Sequence, residues 1–146
     1  MSEVEQNSET KTASRGSGKI KWIVGGILLL FAAAAAMNLP RGYSDDLSRI
    51  GKGKAAVVLV RDKNAVESFN LMEVMNTIRD QYAGQVEFLL TDFNTPEGRA
   101  FITANGAARV TLVVLDANGS KVSVLYPPQT AESVQQAIAA VSRVTR

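Results

Sequence analysis

The chain has no cysteine and no histidine. The first absence excludes disulfides, thiol catalysis and thiolate metal sites. The second removes the commonest metal ligand and the commonest general base. What remains for catalysis is carboxylates, lysines, tyrosines and hydroxyls. An excess of one charge is missing too: 16 basic and 14 acidic residues leave a net charge of +2. The Lys and Arg residues are dispersed, with no basic run interleaved with aromatics, so nucleic acid is not an expected partner. No segment recurs at a fixed period, and Gly51-x-Gly53 is too short for a phosphate-binding loop. No cofactor is expected.

What is present is 146 residues, 46% of them apolar, enough for one domain of ordinary size and an additional apolar segment. Residues 1–19 are rich in Ser, Thr, Glu, Gly and Lys and have no large apolar residue after Val4, a composition that predicts a disordered tail. Trp22 to Leu39 then gives 18 residues without a charge. A helix of that length spans roughly 27 Å at ~1.5 Å per residue, close to the bilayer hydrocarbon. Residues 20–40 are therefore expected to form a transmembrane anchor, single-pass, with membrane lipid as a partner. An Ala-x-Ala pattern around Ala34–Met37 also offers a cleavage site, but the long tail before the run, acidic as well as basic, favours the anchor over a cleaved signal segment. Lys11, Arg15, Lys19 and Lys21 precede the span, and Arg41, Arg49, Lys52 and Lys54 follow it. The count is even, but Lys19 and Lys21 lie nearest, which favours the tail inside and the domain outside.

Residues 41–54 read as a spacer in which Ser44 caps a brief turn over 45–50. The folded domain is expected over 55–146. Ala55 to Val60 is a valine-rich apolar run, as in a strand covered on both faces. Asn64 and Glu67 have capping-box spacing. Leu71, Val74, Met75, Ile78 and Tyr82 form one helical stripe, and the helix is expected to reach about Tyr82. Val86 to Thr91 is a second buried strand. Thr95-Pro96 starts a helix that Asn105-Gly106 ends. Val110 to Leu115 and Lys121 to Tyr126 flank a hairpin turn at Ala117-Asn118-Gly119. Thr130 caps a last helix with Val134, Ile138 and Val141 facing inward. The expected order is βαβαββα: a parallel crossover followed by a hairpin, giving a four-stranded mixed sheet with helices on both faces.

That order resembles the thioredoxin fold over about Ala55 to Val141. Gln81-Tyr82-Ala83-Gly84-Gln85-Val86 looks like the family's passage from long helix to next strand. Thr111-Leu112-Val113-Val114-Leu115 with Asn118-Gly119 looks like its third strand and hairpin. On this resemblance the two active-site cysteines fall on Ala65 and Ser68, with Val66 and Glu67 between them. The cis-proline facing them falls on Val110, the buried acid that assists proton transfer on Leu59, and a lysine often paired with that acid on Leu90. All five roles are lost together. Dithiol–disulfide exchange needs a thiolate, and neither alanine nor a serine hydroxyl without a base supplies one.

The chain is thus expected to be a redox-inactive, membrane-anchored thioredoxin-like module that binds or assembles another protein, placed by its anchor in a periplasm. Two alternatives stand beside this: an enzyme related to thiol–disulfide oxidoreductases that borrows a partner's cysteines, and an accessory subunit of a larger membrane complex. Asp92, Asp116 and Glu87 could be drawn into a metal cluster, although strand ends commonly carry solvated acids. Val66 and Phe69 point away from the core stripe at 100° per residue. With Val110 across from them they form a possible partner face; alternatively Phe69 tucks against Pro127-Pro128.

Overall fold

The computed structural model describes residues 17–38 and 42–144. They belong to two compact units, split between Arg41 and Gly42. The first contains helix α1, Ser17–Asn38. Large apolar side chains on every side of it, Ile23, Leu28 and Phe31 among them, are exposed. Among the described residues no helix is long and apolar enough to cross a membrane. The transmembrane helix expected over 20–40 is therefore not found there. The described helix opens with the charges of Lys19 and Lys21, and the last residues of the expected span lie outside the described residues, as does most of the expected tail.

The second unit holds strands β1 (Ala55–Arg61), β2 (Val86–Asp92), β3 (Thr111–Leu115) and β4 (Lys121–Leu125), with helices α2 (Val66–Ile78), α3 (Pro96–Asn105) and α4 (Ala131–Val144). The strands form one sheet in the order β2-β1-β3-β4. β1 and β2 are parallel, while β3 is antiparallel to both β1 and β4. The expected four-stranded mixed sheet is what forms.

The continuous apolar runs explain the layering. β1 points Val57 and Leu59 to one face, and Ala56, Val58 and Val60 to the other. Leu71, Met75 and Ile78 of α2 and Val134, Ile138 and Val141 of α4 close over the first face. Phe101 of α3 closes over the second, joined by Leu47 and Ile50 from the segment before β1. Strands buried on both sides need such uninterrupted runs. Val74 and Tyr82, at the flanks of the predicted stripe, are only partly buried.

Helix ends obey local chemistry. Thr95 caps α3 by accepting a hydrogen bond from the Gly98 amide, and Gly106 ends it in the left-handed region. At α4, the Thr130 hydroxyl accepts from the Ser133 amide while the Thr130 amide donates to Ser133 Oγ. Two expectations are corrected. α2 stops at Ile78, and Arg79–Tyr82 is a 3-10 turn. Its N-cap is Ala65, with no side-chain cap, rather than Asn64. The cause lies two residues earlier: Asp62 Oδ1 accepts from the Asn64 amide, an Asx turn that carries the chain past Asn64 before the helix begins.

The segment read as a spacer is packed on the sheet. Ser44 bridges β2 at Leu89 and accepts from the Leu90 amide. Tyr43 donates from its hydroxyl to Asn76 of α2 at 2.7 Å, with the Arg79 guanidinium 4.4 Å above its ring. Burial raises the Tyr43 pKa against the opposing pull of Arg79. The helical turn lies at Leu47–Arg49 and is capped by Asp46, not Ser44.

Candidate functional site

The start of α2, the residues leading into β3 and those following β4 converge on one groove. It measures about 380 Å³ and is lined by Ala65, Glu67, Arg109, Val110, Tyr126 and Pro127. Ala65 and Val110, positions 45 residues apart in the sequence, therefore share one wall-to-wall space. Ser68 lies beneath rather than in it: the residue is 1% exposed, and its Oγ accepts from the Asp62 amide at 3.0 Å. That hydroxyl closes the β1–α2 loop. No base among the described residues addresses it, and burial keeps a substrate away from it, so its work is structural.

Val110 has φ of 58°, a left-handed conformation that is a true outlier for a β-branched side chain. It persists because its surroundings hold it: the Val110 amide donates to Val60 O at 3.0 Å and the side chain is buried in the core of the α2/α4 face. Leu59 is fully buried in the same cluster and Leu90 packs against it. The two are register partners across β1 and β2. Where the resemblance puts an acid and a lysine, the chain has a matched apolar pair.

Sequence reasoning missed the polar support of the groove. Asp62 is buried, and Arg109 Nη1 pairs with its Oδ2 at 3.1 Å. The same guanidinium lies 5.5 Å from the Phe93 ring. The hint was Asp62-Lys63-Asn64, an Asx-turn pattern straight after a buried strand. The three acids considered for a metal are not brought together. Glu87 pairs with Arg49 and Lys54, Asp92 with Lys63, and Asp116 accepts from the Asn118 and Ser120 amides in the β3–β4 turn.

Val66 is 68% exposed, Phe69 55% and Tyr126 55%. Val66 and Phe69 stand three residues apart on α2 and so are neighbours on one helix face. Phe69 is not tucked into the hollow beside it, which Glu67, Asn70, Leu71, Pro127, Pro128 and Gln129 line.

Against known structures, this geometry aligns with an uncharacterised thioredoxin-like protein from Clostridium perfringens at a TM-score of 0.62. The match covers 68% of this chain and 79% of that one at 12% identity. The fold is thioredoxin-like. A structure described as a malarial protein aligns at a TM-score of 0.50 and 14% identity, over 60% of this chain and 96% of that one. No family model matches the sequence, and no curated protein does. At such identities the likeness is one of fold. Without a cysteine this thioredoxin-like domain has no thiolate of its own for thiol–disulfide exchange.

Proposed function

We propose that this chain is a non-catalytic binding module: a redox-inactive thioredoxin-like domain that docks another protein on the surface formed by Val66 and Phe69 beside the Ala65–Val110 groove. The observation that carries this reading is the exposure of two large apolar side chains at the first turn of α2, next to a groove that offers no thiol. Elsewhere in the second unit apolar side chains of that size are mostly buried, and exposed clusters mark interaction surfaces more often than single residues do. Tyr126 widens the apolar area. An aromatic with a polar tip is a common anchor at interfaces.

The same proposal places the domain outside the cytoplasm, tethered by the uncharged run from Trp22 to Leu39. The support is its length, the lysines in front of it and the exposed large side chains of α1. A helix apolar on every face has no polar side to offer water.

Site-specific photocrosslinking in intact cells tests the docking face. A photoreactive residue at position 69 should capture one defined protein that the same residue at Asn105 does not. Phe69→Ala or Val66→Asp should abolish capture from a neighbouring position while leaving the melting temperature nearly unchanged, since surface substitutions usually cost less than about 0.5 kcal/mol. Intact fold with undiminished capture overturns the docking face. The tether is tested separately: alkaline extraction should leave the chain in the membrane pellet, and a periplasm-dependent reporter after Arg146 should be active.

A further inference from the structure

The helix face that carries Val66 and Phe69 also borders a recess. Val66, Phe69 and Asn70 stand at i, i+3 and i+4 on α2 and so share one strip of its surface. Asn70 is at the same time a wall of the hollow of about 320 Å³ that Glu67, Leu71, Pro127, Pro128 and Gln129 complete. Leu71 is 1% exposed and forms the floor, and the two prolines give the recess an apolar side. The chain's own Phe69 does not fill it, being 55% exposed and absent from its lining. A projecting aromatic ring and an apolar recess therefore adjoin on one surface.

Charge is divided in the same way. Glu67 stands on the ridge between the recess and the Ala65–Val110 groove, lining both. Arg109 lines that groove as well. Its Nη1 rests on Asp62, yet the side chain is 59% exposed. An acid and a base thus lie at the border of the apolar strip.

We propose that the occupant of this face is a second copy of the chain. Two domains pack α2 against α2 about a two-fold axis, with Phe69 of each seated over Leu71 in the other's recess and Glu67 of each set against Arg109 of the other. A two-fold contact brings residue i of one protomer to residue j of its partner and j to i. It therefore requires knob and recess, and acid and base, side by side on a single patch, as they are here. A foreign partner requires no such pairing of opposites. The proposal rests on the docking face argued above and names its partner. Copies tethered in one membrane meet at a high effective concentration, so a patch of modest area is enough to pair them.

The test uses the full chain, co-expressed under two different tags, with a photoreactive residue at position 69. Illumination of intact cells should give a product that carries both tags. The peptide joined to position 69 should come from residues 70–71 or 127–129 of the second copy. In non-ionic detergent the chain should sediment as a dimer. Phe69→Ala, Glu67→Arg and Asn70→Arg, the last setting a charge on the rim of the recess, should each raise the dissociation constant at least tenfold with the melting temperature nearly unchanged. Dimerisation undiminished in Phe69→Ala and Asn70→Arg overturns the proposal, because the contact then lies elsewhere. Should Phe69→Ala unfold, Asn70→Arg decides, since Asn70 is exposed. Position 69 joined to a different protein overturns the second copy as occupant and leaves the docking face standing. No product at all from position 69 overturns both.

Discussion

Leu59 and Leu90 are register partners across the parallel β1–β2 pair, and both pack into the cluster beneath α2 and α4. Charge at Leu59 has no place in that layer. Leu59→Asp should lower the unfolding free energy by more than about 3 kcal/mol, because it buries a carboxylate without a partner. Leu59→Ala should cost about 2–5 kcal/mol through a cavity. Leu59→Asp/Leu90→Lys should recover part of the loss of the single acid. Urea midpoints give all three values. A Leu59→Asp protein as stable as wild type would show the position is not sealed.

Restoring a dithiol should not restore exchange. With Ala65→Cys and Ser68→Cys together, insulin reduction should stay far below that of a dithiol thioredoxin. Leu59 offers no proton acceptor, and Val110 holds its left-handed backbone without a proline. Ser68→Cys also weakens the bond that Ser68 Oγ accepts from the Asp62 amide, so the variant should lose about 1 kcal/mol of stability. Turnover comparable to a dithiol enzyme would contradict the assignment of these roles.

How legible the chain was follows from which forces decide each part. The apolar runs of β1 and β3 and the stripe Leu71, Met75, Ile78 are large hydrophobic terms visible in sequence, and they become the buried layers. Thr95-Pro96 and Gly106 act locally, and their caps form as their chemistry predicts. The start of α2 was misplaced because two local signals compete there, and Asp62 outbids Asn64. The segment 42–54 looked like a spacer because its contribution is long-range: Tyr43 reaches Asn76 and Ser44 reaches Leu89. The Asp62–Arg109 pair was hidden for the same reason, its partners lying 47 residues apart in the chain. Exposure of Val66 and Phe69 was readable from helical periodicity.

Asp92 should make stability acid-sensitive. Its carboxyl is held below the usual range, first by the Asn94 amide and then by Lys63, against an opposing push from burial. A lowered folded pKa means the native state binds fewer protons than the unfolded chain. The contribution is therefore present above the unfolded value of about 4 and is lost as pH falls through the folded one. Asp92→Asn should melt lower than wild type at pH 6, and the gap should close as the pH is brought toward 2.5. A gap independent of pH would show that the carboxylate's charge is not what stabilises the β2–α3 turn.

Gly98 gives a test in which two principles predict opposite signs. It sits in the first turn of α3, where helix propensity alone favours alanine over glycine by up to about 1 kcal/mol. A Cβ there would stand 1.9 Å from the Asp92 carbonyl oxygen and 2.7 Å from its carbon. Those are backbone atoms, fixed because the Thr95 amide and hydroxyl both donate to that same oxygen, so no side-chain rotation relieves the overlap. The Gly98 amide is itself bound to Thr95 Oγ1 at 3.0 Å, which ties the helix start to the end of β2. Gly98→Ala should therefore destabilise, by more than about 2 kcal/mol once overpacking is added to the lost cap. The ¹⁵N spectrum should show the disturbance concentrated at Asp92 to Arg99. A neutral or stabilising Gly98→Ala, read from the melting temperature, would mean that α3 can retreat from β2, and that their close approach is not enforced by the fold.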